Sequence, residues 1–219
     1  MPRQLFESSL QHLQDEILLL GSMMEKAVEQ SVEALRARDV AAAKRVIADD
    51  LQINKKRFEI EDLCVDIIAR HQPMARDLRK ITAALIIANE LERMADHAQG
   101  IAKIVVMMGD EPLLKPLVDI PRMAQIGIEM TRGALDAYVR GDAEQAKRIA
   151  AQDDQVDALY DQVYRELLVF MMSDPKTINR ATWLLWAAHN LERIADRATN
   201  ICERVVFMVT GELVEYNVS

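Results

Sequence analysis

Residues 82–108 read TAALIIANELERMADHAQGIAKIVVMM, and residues 182–208 read TWLLWAAHNLERIADRATNICERVVFM. Aligned without a gap, about half of the positions are identical, far more than a shared preference for helix-forming residues would give. Upstream of these segments lies a second match, in which the aligned residues are three positions further apart than in the first. It aligns Asp39, Lys44, Arg45 and Asp50 with Asp142, Lys147, Arg148 and Asp153. The chain is therefore an internal duplication, and each half is one structural unit.

Apolar residues recur at helical spacing in both halves, and glycine, proline and aspartate mark the interruptions. In the first half we predict helices over 5–38, 39–71 and from Pro73 to Gly109, with Asp39 as a cap. The second half repeats the plan over 121–140, 142–172 and from Pro175 to about Gly211, with Gly141 as a stop and Asp142 as a cap. Nothing alternates with period two, and short connections favour antiparallel neighbours. The predicted fold is all-α: two tandem three-helix bundles, residues 1–109 and 110–219, with six antiparallel helices.

Composition narrows the classes of function. The formal net charge of -8 argues against a nucleic-acid partner, which requires a basic footprint. No apolar run approaches the roughly 18 residues of a membrane span, and residues 1–6 lack the order of a signal peptide. Cys64 and Cys202 lie in apolar helical stretches and are expected to be buried, reduced thiols. We expect a cytoplasmic protein that meets a membrane only through its partners.

Several carboxylates interrupt the predicted apolar faces. Asp50 and Asp153 occupy core-type spacing, where an unpaired carboxylate is costly and requires compensation. An i, i+4 spacing also places two carboxylates on one helix face, where like charges repel unless a cation intervenes. The candidate metal ligands are Asp50, Glu92, Asp96, Asp153, Asp157, Glu192 and Asp196, with Asn54 where the second half has Asp157. The alternative is a solvated face on which Arg93 and Arg193 pair with the acids three residues on.

Signals for catalysis are absent from the sequence. There is no glycine-rich phosphate loop, no nucleophile elbow and no zinc-protease motif. His97 has the placement of a phosphotransfer histidine, but its duplicate is Arg197, which cannot take that role, so a polar surface histidine is favoured. The residues predict binding and not turnover. The rival hypotheses are a carboxylate-bridged metal enzyme, against which the lack of Glu-x-x-His at the acidic motifs counts, and a plain helical scaffold.

The motifs LERMADHA (91–98), LERIADRATNIC (191–202) and QPMARDLRKI (72–81) resemble the PhoU family, the accessory regulators of the phosphate ABC transporter, over essentially the whole chain. The resemblance implies two three-helix bundles and acidic motifs that bind a multinuclear divalent metal, such as iron, zinc or manganese. It also implies an adapter between the transporter's ATPase subunit and a phosphate-sensing histidine kinase. Such an adapter restrains uptake and the starvation response when phosphate is plentiful.

An adapter needs a surface that its partners recognise. The candidates for this surface are Arg76, Asp77, Arg79, Arg93 and Arg193, although each of them would also suit an intramolecular ion pair. The long amphipathic helices leave room for a homodimer.

Overall fold

The computed structural model describes residues 2–216, which form helices and connecting turns without a strand. The seven α-helices are α1 (Pro2–Ala37), α2 (Val40–His71), α3 (Ala75–Met108), α4 (Asp119–Arg140), α5 (Ala143–Ala150), α6 (Asp153–Ser173) and α7 (Ile178–Thr210). A single 3₁₀ turn, Pro175–Thr177, precedes α7. Within residues 2–216, none of these helices is both long enough and apolar enough to cross a membrane.

The predicted all-α fold of two duplicated helical bundles is confirmed, with one difference in the fifth predicted helix. That helix divides into α5 and α6 at a tightened turn, in which the amide of Gln152 donates to the carbonyl of Ile149 at 2.9 Å. Asp153 and Asp154 occupy the first turn of α6, where negative charge favours a helix N-terminus. A new helix therefore begins there although neither glycine nor proline interrupts the chain.

Matching aspartate caps mark the start of the second predicted helix in each half. The carboxylates of Asp39 and Asp142 each accept a hydrogen bond of 2.8 Å, from the amides of Ala42 and Gln145. Gly141 ends α4 in the left-handed conformation, with φ 65°, a backbone state that glycine adopts at little cost. The duplication therefore includes the local signals that begin and end the helices.

The third helix of each half, α3 or α7, lies at the centre of the molecule. Helix α3 packs against α1 and α2, whereas α7 packs against α4, α5 and α6, and the two central helices also pack against each other. The buried residues of both helices point in several directions, as expected for helices that pack against neighbours on more than one side. Cys64 and Cys202 are buried free thiols, and burial raises the pKa of each to about 12. The molecule therefore has one continuous apolar core.

Candidate metal centres and the contact between the halves

The first acidic cluster surrounds Asp50, whose residue surface is only 7% exposed. Its Oδ2 accepts hydrogen bonds of 3.0 Å from the side-chain amides of Asn54 and Gln99, whereas its buried Oδ1 accepts none. Burial raises the pKa of Asp50, and the negative charge of Asp96 raises it further. The pKa of Glu92 is also raised, by burial and then by Asp96. The three carboxylates therefore share one electrostatic environment between α2 and α3.

The second cluster joins α6 and α7 and contains one more carboxylate. Burial raises the pKa of Glu192 to about 7, and the charges of Asp196, Asp157 and Asp153 add to the effect. The pKa of Asp157 is raised for the same reason, first by burial and then by Asp196. Asp153 is 6% exposed, as its core-type spacing predicts. This half therefore concentrates more negative charge in partly buried surroundings than the first half does.

An ion pair inside the second cluster matches the alternative drawn from the sequence. The Nη1 of Arg193 donates to Oδ2 of Asp196 at 2.7 Å, and the two side chains are partly buried. The Nδ1 of His189 lies 3.3 Å from Oε2 of Glu192, but its orientation makes no hydrogen bond, so this buried oxygen accepts none. The second half thus combines a carboxylate that is paired with an arginine, Asp196, with one that has a buried oxygen without a hydrogen bond, Glu192.

The side-chain chemistry of both clusters fits a hard cation, because such ions prefer carboxylate oxygens as ligands. Each cluster also has a buried carboxylate oxygen that accepts no hydrogen bond. The placement of the side chains is less favourable. Among residues 2–216, no group of three or more acidic, histidine or cysteine side chains converges closely enough to hold a metal ion. The metal ligands therefore remain a prediction: the structure gathers them into two clusters without assembling a ligand cage.

Comparison with known proteins places the duplicated architecture in a family. The PhoU domain matches the chain twice, over residues 17–105 and 120–205. The chain belongs to the PhoU family.

Its relatives cover nearly its whole length. A Clostridium acetobutylicum protein named as a phosphate-specific transport system accessory protein PhoU homolog is 38% identical, over 99% of this chain and 100% of that protein. The crystal structure of the phosphate transport system regulatory protein PhoU from Streptococcus pneumoniae has a TM-score of 0.89 at 32% identity, covering 96% of this chain and 100% of that one. PhoU from Pseudomonas aeruginosa has the same TM-score at 36% identity, covering 94% and 100%.

The predicted partner-binding residues lie in different environments on this PhoU fold. Arg76 and Arg93 are exposed. Asp77 lies 3.5 Å from Nζ of Lys80, and Arg193 is already paired within the second cluster. Arg79 is partly buried, and a side chain at Gly211 would touch its guanidinium. Only Arg76 and Arg93 thus combine exposure with the predicted charge.

Five polar residues that sequence reasoning missed join the two PhoU repeats; we call them the α3–α7 seam: Glu90, His97, Asn190, Arg197 and Asn200. Glu90 accepts from Nη1 of Arg197 at 3.4 Å and from the amide of Asn200 at 3.1 Å. The aligned positions make the corresponding contact with the halves exchanged: Oδ1 of Asn190 lies 3.0 Å from Nδ1 of His97. The seam therefore has a quasi-two-fold arrangement, with an ion pair on one side and a neutral pair on the other.

The seam also corrects the view of His97 as a surface residue. Its ring is partly buried between the central helices, and burial lowers its pKa. Gly100 allows this close approach, since a Cβ there would lie 2.8 Å from Oδ1 of Asn190. The alignment held a signal for the contact, because polar residues recur at positions 90 and 190, and at 97 and 197, in the two copies of the repeat.

Proposed function

We propose that this chain is a non-enzymatic, cytoplasmic regulator of phosphate uptake and of phosphate-starvation signalling. The carrying observation is that both PhoU repeats are present and that relatives named as phosphate-specific transport accessory proteins align over almost the whole chain. In this proposal the protein is an adapter between the ATPase subunit of a phosphate ABC transporter and a phosphate-sensing histidine kinase. It restrains uptake when phosphate is plentiful, binds no nucleic acid and meets the membrane only through these partners.

The exposed arginines support an adapter surface. Arg76 lies in the first turn of α3, and Arg93 lies further along the same helix, so both project from an element that the core holds rigidly. Exposed charges of this kind govern encounter and specificity more than they add affinity. Arg193 and Asp77 contribute less in this proposal, because their charges already have partners within the protein.

Complementation tests the proposal. A bacterial strain that lacks its own PhoU protein, carrying a phosphate-starvation reporter, should regain repression in phosphate-rich medium when it expresses this chain. Arg76→Glu and Arg93→Glu should each reduce repression and the co-purification of the ATPase subunit or the kinase. Arg165→Glu is the control, since its side chain is 72% exposed on α6, away from that surface. The proposed function would be contradicted if the wild-type chain were expressed but the reporter stayed as active in phosphate-rich medium as it is without the chain.

We also propose that the acidic clusters bind a multinuclear divalent metal, with iron, zinc or manganese as candidates. The support is the pair of buried carboxylate oxygens without a hydrogen-bond donor, on Asp50 and Glu192. If metal binds, elemental analysis of anaerobically purified, untagged protein should find it, and Asp96→Ala and Asp196→Ala should each remove one half's share. Asn54→Asp should raise the share of the first half, because it restores the carboxylate that the second half carries.

The plain scaffold is the second candidate for these clusters, and one contact favours it. The Arg193–Asp196 ion pair already neutralises one carboxylate without a metal. Protein free of metal in all variants would support this candidate, and the regulatory proposal would then rest on the family alone. A metal-dependent turnover of dioxygen or phosphate compounds, lost in both aspartate variants, would instead favour an enzyme.

A further inference from the structure

A histidine lies beside the second acidic cluster. The side chain of His189 is 55% exposed on α7, and its Nδ1 lies 3.3 Å from Oε2 of Glu192, a buried oxygen that accepts no hydrogen bond. Their spacing of three residues places both side chains on one face of the helix. A neutral imidazole nitrogen is the commonest metal ligand in proteins. The second cluster therefore has a nitrogen ligand available next to its carboxylate oxygens.

Tyr160 of α6 packs against this histidine from the facing helix. Its ring centroid lies 6.1 Å from that of His189, and the two planes are tilted by 49°. Burial raises the pKa of Tyr160, and the negative charge of Glu192 raises it further. The tyrosine thus belongs to the surroundings of the cluster and adds no positive charge to it.

The aligned positions of the first half carry a different pair of residues. Asn89 replaces His189 in the central helix, and Arg57 replaces Tyr160 in the facing helix. The two again lie together, because Nη1 of Arg57 donates to Oδ1 of Asn89 at 3.5 Å. The duplication has therefore kept the contact between these positions and changed its chemistry.

Arg57 places a fixed positive charge beside the first cluster. Its side chain is only 16% exposed, and its Nη1 lies 2.8 Å from Oε2 of Glu61. Burial and the charge of Asp96 raise the pKa of Glu92, whereas the charge of Arg57 acts in the opposite direction. A metal ion at the first cluster would be repelled by this guanidinium.

We propose that His189 is a metal ligand, which makes the second cluster a mixed nitrogen and oxygen site that prefers zinc or a similar divalent transition metal. The first cluster, with Asn89 and Arg57 at the aligned positions, offers oxygen ligands beside a repelling charge and binds such ions more weakly. Imidazole suits zinc and iron, whereas carboxylates and carbonyls suit magnesium and manganese. This inference rests on the metal binding proposed above and adds which half binds the ion more tightly.

Isothermal titration calorimetry of the chelator-treated, full-length protein with zinc and with manganese tests the preference. His189→Asn introduces the residue that the first half carries. It should weaken the tightest zinc binding at least about tenfold, since even groups outside the ligand shell contribute that much. Manganese affinity should change by less than about threefold, because manganese favours the carboxylates that remain. His12→Asn, at an exposed histidine of α1, is the matched control and should bind both ions as the wild type does.

The reverse exchange tests for a gain of binding in the first half. Asp196→Ala weakens the second cluster and so isolates the first. In that background, Arg57→Tyr combined with Asn89→His should raise zinc affinity at least about tenfold, because the change removes the repelling cation and supplies an imidazole. An unchanged far-ultraviolet circular dichroism spectrum checks that the variant is folded.

Nuclear magnetic resonance of the imidazole nitrogens separates ligation from an indirect structural role. The chain has four histidines, so single substitutions assign their signals. One equivalent of zinc should shift a ring nitrogen of His189 and leave those of His12 in place. Equally tight zinc binding by His189→Asn, or unshifted His189 signals in zinc-loaded protein, would overturn the inference and leave metal binding by the carboxylates standing. Failure of zinc and manganese to bind any variant would refute the inference together with the proposed metal binding.

Discussion

Replacing Glu90 by alanine should destabilise the protein because it removes the partner of a nearly buried arginine. The side chains of Glu90 and Arg197 are only 13% and 12% exposed, and Asn200 donates a second hydrogen bond to the same carboxylate. At 3.4 Å and an effective dielectric constant of about 20, the attraction is about 5 kcal/mol before desolvation is subtracted. Leaving one member of a buried pair alone costs about 3–5 kcal/mol, and the long contact places this one near 3.

A double-mutant cycle separates the pair from other effects of the substitution. Arg197→Met removes the charge but keeps a side chain of similar length. Because the double variant leaves no unpaired charge, its loss of stability should be smaller than the sum for the single variants by about 2 kcal/mol. Asn190→Ala, at the position aligned with Glu90, is the matched control. It should cost only about 1 kcal/mol, because it removes a hydrogen bond to His97 and leaves no buried arginine without its partner.

Urea unfolding at fixed protein concentration supplies the measurement. Both tryptophans, Trp183 and Trp186, lie on α7, so fluorescence reports on the helix that carries Arg197, and far-ultraviolet circular dichroism reports on the whole chain. We expect the two probes to give one transition with an unchanged dependence of the unfolding free energy on urea concentration. A loss below about 0.5 kcal/mol for Glu90→Ala, or strict additivity in the cycle, would refute a stabilising role for the ion pair.

Glu192 and the two aspartate caps each make a contribution to stability that a single substitution removes. In chelator-treated protein, the protonated form of Glu192 contributes stability that is complete below its ordinary pKa of 4.5 and is lost as the pH rises through about 7. Glu192→Gln should therefore remove on the order of 3 kcal/mol of pH dependence from unfolding curves measured across that range; an unchanged profile would contradict the raised pKa. Asp39→Ala and Asp142→Ala should each cost about 1 kcal/mol in thermal or urea unfolding, because each removes a cap to a backbone amide. Equal stability of wild type and variants would show that packing alone fixes those helix ends.

The helices were predictable because their signals are local. Asp39 and Asp142 are caps in the sequence and in the structure, and Gly141 marks the end of α4 in both. The division between α5 and α6 was not predictable in the same way, since residues 150–152 contain no helix breaker. That interruption depends on a tightened turn and on the acids that follow it, which favour a new N-terminus without requiring one.

The polar contacts were only partly predictable. Core-type spacing indicated that Asp50 and Asp153 are buried, and both are, but it could not show that Gln99 on another helix donates to Asp50. Glu90 and Arg197 are 107 residues apart, and a single charge on a helix is ordinarily solvated, so nothing in the sequence required them to meet. Pairing across the duplication depends on how the two central helices pack, which periodicity alone does not determine.

The duplication preserved packing while the polar positions diverged, and this divergence fixes how the halves combine. With identical repeats, each contact of the seam would occur twice with the same chemistry. Instead, Glu90 has Arg197 opposite, whereas Asn190 has His97. Two first halves packed through α3 would therefore bring His97 to Glu90 in place of an arginine, and would have Gly100 where Asn200 donates. The seam consequently favours the packing of one first half against one second half over the packing of two first halves.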